Sequence, residues 1–242
     1  MFKQMTIALT LVCALVGGTA AQKQMKAWAE WSKKDAEKVL NSSPWGQTQV
    51  ETDTTEMFFV ETKRGGFNDP ARAQEGATNQ EVHTKYFVRF FSARPIRQAL
   101  ARSMMLDMKE AEPQIAERLK QFAELKASDS IIVTVWFSST DQRAGNRVLQ
   151  ALSQGETSTL KNDAYLERTS DGKRLFLHEY VKPGKDGFGA RFIFLRNADG
   201  QPFLTADSGE VRFHAELGTN KEFKVDRRFR VADMMYEGAL EY

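Results

Sequence analysis

Three histidines, His83, His178 and His214, are the first residues to test for metal or acid–base chemistry. They lie 95 and 36 residues apart, and none belongs to a His-x-x-x-His or His-x-His pair. A zinc site read from sequence needs such a pair, because neighbouring ligands must reach one tetrahedral ion from one local element. The only carboxylate adjacent to a histidine is Glu179, beside His178. In Val211 to Leu217, alternation turns Val211, Phe213, Ala215 and Leu217 inward, and His214 outward with Arg212 and Glu216. The expectation is three ordinary strand histidines, with no metal site and no cofactor.

Nucleophilic chemistry has as little support. Gly-x-Ser-x-Gly is absent, and Ser-x-x-Lys occurs at Ser158–Lys161 and Ser170–Lys173, both near expected hairpins. That motif needs a helix to bring its lysine over the serine. A Ser–His–Asp triad is defined by geometry, so a dispersed one is left open and no catalytic residue is assigned. Gly184–Gly189 has the glycines of a phosphate loop, but the segment after it, RFIFL, alternates as a strand does. Without a helix terminus to face an anion, this is a hairpin turn.

Ser92, Arg94 and Arg97 carry a physical tension. They stand where a helix should begin, with Ser92 as its cap and Pro95 in the first turn. Cations there oppose the helix dipole, so an anion should lie close by. It is either an acidic side chain of the same chain or a bound anionic ligand held by the arginine forks. A second basic group, Lys221, Lys224, Arg227, Arg228 and Arg230, falls on an expected strand over 222–231. Alternation puts Lys224, Arg228 and Arg230 on one face, which reads as a solvated edge that resists aggregation. Trp28, Trp31 and Trp45 surround one short helix, where they either offer a flat surface to a sugar or, as expected, pack that helix on a sheet. Trp136 reads as core.

The elements that would position these groups are legible from periodicity. Helices are expected over 94–108, 113–126 and 141–154, with a shorter one before Ser43-Pro44 opened by a Ser32/Asp35 capping pair. Ile131 to Ser138 reads as a central strand covered on both faces. Strands over 47–61 and 82–91 flank a polar loop, Thr62 to Gln80. After residue 156 the pattern becomes strands joined by Asp-Gly turns. The class is therefore α+β: an antiparallel meander sheet, drawn largely from the C-terminal half, with three to four packed helices. Residues 22–242 read as one such domain, with a division into lobes near 155 left open.

Of 242 residues, 34 are basic and 32 acidic, a net charge of +2. A field that weak holds neither nucleic acid nor an anionic membrane surface. Residues 1–21 read as an export signal: Lys3, an apolar run from Met5 to Val16, then Gly17-Gly18-Thr19-Ala20-Ala21. The run is too short to span a bilayer, and no later segment reaches that length. Cleavage near Ala21 would remove the single cysteine, Cys13, and leave 33 basic against 32 acidic side chains. A cysteine-free mature chain has no disulfide, thiolate zinc site or cysteine nucleophile.

Two segments, WSKKDAEKVLNSSPW (Trp31 to Trp45) and FVRFFSARPIRQAL (Phe87 to Leu100), resemble stretches of a group of uncharacterised exported bacterial proteins. The resemblance implies export and a bacterial origin and carries no functional residue across. The expected function is that of an exported, soluble, periplasmic or secreted module that binds or interacts without catalysis. Its partner would be an anionic ligand or an envelope component, not nucleic acid, and no integral membrane segment would remain after cleavage. The alternatives are a hydrolase of envelope polymers with a dispersed site and a structural component of the envelope.

Overall fold

Ser32 opens the first helix by a reciprocal cap. Its hydroxyl accepts from Asp35 N at 3.2 Å, while the Asp35 carboxylate accepts from Ser32 N at 3.0 Å. The computed structural model describes residues 26–53, 81–108, 112–126 and 129–242. In chain order these form α1 (Lys33–Asn41), β1 (Gly46–Asp53), β2 (Val82–Phe90), α2 (Arg94–Asp107), α3 (Pro113–Ala123), β3 (Ser130–Ser139), α4 (Gln142–Gln154) and α5 (Thr157–Leu160). There follow β4 (Ala164–Arg168), β5 (Lys173–Phe176), β6 (Glu179–Val181), β7 (Ala190–Leu195), β8 (Asn197–Ala198), β9 (Gln201–Pro202), β10 (Glu210–Leu217), β11 (Phe223–Arg230), β12 (Met235–Tyr236) and β13 (Ala239–Leu240). The expected strand over 54–61 and the polar loop over 62–80 lie outside the described residues.

The class is α+β, and every strand pair among the described residues is antiparallel. One expectation is corrected. The main strands do not form a single sheet drawn mostly from the C-terminal half. They divide into a five-stranded sheet, β1-β2-β3-β7-β6, and a four-stranded sheet, β11-β10-β4-β5. The reason lies in β3, whose segment from Ile131 to Val135 is largely buried, so its backbone N–H and C=O groups need a strand on either edge. It takes β2 on one edge and β7 on the other, joining segments from both sides of residue 155.

The two sheets meet through aromatic side chains. Phe90 of β2 stands edge-on to Phe229 of β11 at 4.9 Å, and Phe192 of β7 edge-on to Phe213 of β10 at 5.2 Å. Such T-shaped pairs add to the free energy of area burial. Helix α4 packs on β2 and β3 through Val148, Ala151 and Leu152, whereas α2 packs between α1 and α3. The expected apolar stripe of α3 is only partly covered: Ile115 is exposed and Phe122 is half-buried against Phe91 and Phe188. Trp136 is also only half-buried, so the reading of it as core is corrected. Trp31 and Trp45 are buried and Trp28 packs against the same core, as a packing role requires.

Two turns explain local chemistry read from sequence. Asp199 and Gly200 both have positive φ, 54° and 75°, the geometry of a tight hairpin turn between β8 and β9. Gly184–Gly189 lies in the connection between paired strands β6 and β7. There Gly189 has φ 84°, and a Cβ on it would stand 2.5 Å from the Val135 carbonyl oxygen, so glycine is required by packing.

Candidate functional site

At the start of α2 the structure gathers Ser92, Arg94 and Arg97, but in roles the sequence does not disclose. The N-cap is Ala93, not Ser92; the buried Ser92 hydroxyl instead accepts from Ile132 N at 3.0 Å and tethers the turn to β3. Arg94 N donates to Glu241 Oε2 at 3.0 Å. The Arg94 guanidinium reaches Glu237 at 2.9 Å and Glu241 at 3.4 Å. The anion demanded by this helix terminus is therefore supplied from the far end of the chain, by two carboxylates. Arg97 is only 4% exposed and donates to the carbonyls of Ser92, Phe91 and Leu125. Burial lowers its pKa, though the nearby Glu241 works against that.

The histidines are spread over separate elements. His83, on β2, is within 3.0 Å of the Thr52 hydroxyl and 3.5 Å of Glu81. His178 was expected in a strand but occupies an exposed bend between β5 and β6. Ser158 and Lys161 fall at the one-turn helix α5 rather than at a hairpin, and both are exposed. No group of three metal-ligating side chains occurs among the described residues.

His214 departs most from expectation. It shares the outer face of β10 with Arg212 and Glu216, yet it is only 5% exposed. Tyr165 of β4 stacks on its ring at 4.8 Å, Asp226 of β11 lies 3.2 Å from Nδ1, and Glu216 lies 3.6 Å from Nε2. The cover comes from neighbouring strands, which a single strand's alternation does not reveal.

This outer face is a charge ladder. Arg174, Glu167, Arg212 and Arg228 lie opposite one another across β5, β4, β10 and β11. Arg174 donates to Glu167 at 2.7 Å, and Arg212 grips Asp226 with Nε and Nη2. Burial on its own would raise the Asp226 pKa; hydrogen bonds from Arg212 and His214 outweigh it and hold that carboxyl below its ordinary range. Both carboxylates nearest the row are thus engaged. Arg228, at its end, faces the like charge of Arg212 and has no ion-pair partner among the described residues. Like charges directly opposite on a sheet destabilise it.

Beside Arg228 opens a groove of about 680 Å³. One wall is the turn from Asn41 to Thr48, and the other carries Arg227, Arg228 and Arg230 with Glu210 and Asp233. The first wall is braced from behind. Arg89 donates to Asn41 Oδ1 at 2.8 Å and to Leu40 O at 3.1 Å, and burial pushes its pKa down to about 10. The Ser43 hydroxyl accepts from Trp45 N and Gly46 N at 3.2 and 3.1 Å, fixing the turn. Across the groove, Arg227 Nε and Nη2 both donate to Gln47 Oε1, at 3.2 and 2.8 Å. A neutral amide therefore orients this guanidinium, which has no ion-pair partner among the described residues. Arg230 lies 3.6 Å from Asp233, an exposed pair of modest strength.

The basic stretch noted in the sequence thus divides. Lys224, Arg228 and Arg230 are exposed on one face, as alternation requires, whereas Arg227 turns over the strand edge to Gln47. The opposite wall was missed: Asn41-Ser42-Ser43-Pro44 reads only as a helix stop. Set against protein families, curated proteins and solved structures, the chain matches none of them.

Proposed function

We propose that this protein is exported and acts as a non-catalytic binding module, taking an anionic ligand in the groove between Asn41–Thr48 and β11. The observation that carries the reading is Arg228. It stands opposite Arg212 after Glu167 and Asp226 have been engaged elsewhere, and it opens onto a preformed groove beside the oriented Arg227. Two arginines that form no ion pair among the described residues, at a concave surface, offer the donors an oxyanion needs. The start of α2, by contrast, already has its anions in Glu237 and Glu241.

Export rests on the leader pattern of residues 1–21, which lie outside the described residues. Among the described residues no helix is long and apolar enough to cross a membrane. The hydrolase alternative would use His214 with Asp226 as a dyad. Both ring nitrogens of His214 face carboxylates, Asp226 and Glu216, so neither faces a hydroxyl nucleophile.

Two measurements test the reading. Calorimetric titration with phosphate, sulfate and citrate should give binding that Arg228→Ala weakens at least tenfold; no anion binding, or binding indifferent to Arg228, overturns it. Mass spectrometry of protein from cell fractions should find an N-terminus near Gln22 outside the cytoplasm. An intact Met1 or lipid on Cys13 would refute export.

A further inference from the structure

We infer that the ligand of this groove is a small carbohydrate bearing one anionic group, a phosphate or a carboxylate, rather than a bare oxyanion or a polyanion. The inference rests on the anion-binding reading of the groove and goes on to name the ligand's class. Size is the first argument. A groove of about 680 Å³ falls within the range of roughly 300–1,000 Å³ typical of small-molecule sites. A bare oxyanion, at about 30 Å³ for each water-sized group, fills a minor part of it.

Charge is the second. Arg227, Arg228 and Arg230 face Glu210 and Asp233 in the same groove, a formal net charge of +1. That matches one anionic group. A polyanion would bring its further charges against the two carboxylates. Arg230, 3.6 Å from Asp233 and opposite Glu210 in the strand register, offsets one of those two charges, and Arg227 and Arg228 together exceed the other, so the groove as a whole favours an anion over an ammonium.

The third argument is the chemistry of the walls. Apart from Pro44 the lining is polar, with no aromatic or aliphatic side chain to receive an acyl chain or an apolar ring. Ionised carboxylates accept hydrogen bonds and give none, so any ligand group that meets Glu210 or Asp233 must be a donor. The Ser42 hydroxyl and the Asn41 amide nitrogen both give hydrogen bonds, and Thr48, whose hydroxyl donates to Asn41 O at 3.1 Å, retains lone pairs to accept them. Neutral hydroxyl groups, which donate and accept, satisfy all of these together. The anion then sits between Arg227 and Arg228, and the hydroxyls lie toward Asn41, Ser42 and Glu210.

Calorimetric titration of the full chain with glucose 6-phosphate, glucuronate, glucose, glucosamine and inorganic phosphate tests this. Glucose 6-phosphate or glucuronate should bind at least tenfold more tightly than glucose, glucosamine or phosphate, and the better of the two tells phosphate from carboxylate. Ser42→Ala should weaken that sugar several-fold and leave inorganic phosphate unchanged, while Arg228→Ala should weaken both. Both residues are at the surface, and circular dichroism of each variant verifies its fold. If phosphate binds as tightly as either charged sugar in an Arg228-dependent way, the carbohydrate inference fails and the anion reading stands. Tighter binding of heparin than of either charged sugar also overturns the inference. If no anion binds, both fall.

Discussion

The side-chain amide of Gln49 lies against the backbone at Asp226 as a neighbouring strand would. Its Oε1 accepts from Asp226 N at 2.8 Å, and its Nε2 donates to Lys224 O at 2.7 Å. Gln47, two residues earlier on the same face of β1, repeats the contact by donating to Arg228 O at 2.9 Å. The outer edge of β11 would otherwise present unpaired backbone groups, a template for association. The two glutamines cover it, couple the two sheets at this edge and set the backbone that carries Arg227 and Arg228.

Gln49→Ala should therefore destabilise the protein by about 1 kcal/mol, because a partly buried backbone donor at Asp226 and an exposed acceptor at Lys224 lose their partners together. Urea denaturation monitored by fluorescence measures this. An unchanged midpoint would mean that water replaces the amide at no cost.

The start of α2 yields a stability prediction rather than a ligand. Glu241→Ala removes the carboxylate that accepts from Arg94 N, and should cost about 1 kcal/mol as a lost cap and dipole partner. Arg97→Ala should cost more, about 3 kcal/mol, since three carbonyls lose a donor inside the protein. Thermal unfolding of the two variants should rank them in that order. The reverse order would show that Arg97 is held at a net cost.

Much of this frame is legible in the sequence where the deciding interaction is local. Ser32 with Asp35 sets a helix start within three residues, and Asp199-Gly200 sets a turn within two. What is not legible depends on contacts distant in sequence. Asn41–Thr48 and Arg227–Arg230 approach across 180 residues, as in the Arg227–Gln47 hydrogen bond, and no period in either segment encodes the other. Glu241 reaches Arg94 across 147 residues. His214 fails for a related reason: alternation gives its face correctly, but its burial is set by Tyr165 and Asp226 on adjacent strands.

Asp226 gives a dependence on pH. Its carboxyl is held below the ordinary value of 3.8 in the folded protein, so it adds stability above that pH. The contribution is lost as the pH falls through the lower, folded value. The groups responsible are Arg212 and His214, both on β10. Denaturation midpoints measured from pH 5 to pH 2 should fall less steeply in Asp226→Asn than in the parent. Parallel curves would show that the pair contributes nothing to folding.

The last prediction sets stability against binding at one residue. Arg228 faces Arg212 directly across β10 and β11, and like charges so placed cost a few tenths of a kcal/mol to about 1 kcal/mol. A surface residue kept at such a cost marks a site where function opposes stability. Arg228→Ala should therefore raise the melting temperature of the ligand-free protein slightly, and Arg228→Glu, which places an opposite charge before Arg212, should raise it further. The gain should shrink as salt is added, because screening weakens the repulsion being removed. Saturating anion stabilises only the form that binds it, so the parent should gain stability from a bound anion while both variants gain little. Differential scanning calorimetry at low and high salt, with and without anion, measures all four arms. If the ligand-free variants melt below the parent at low salt, Arg228 stabilises the sheet through its alkyl stem, and its standing as an anion ligand loses its energetic basis.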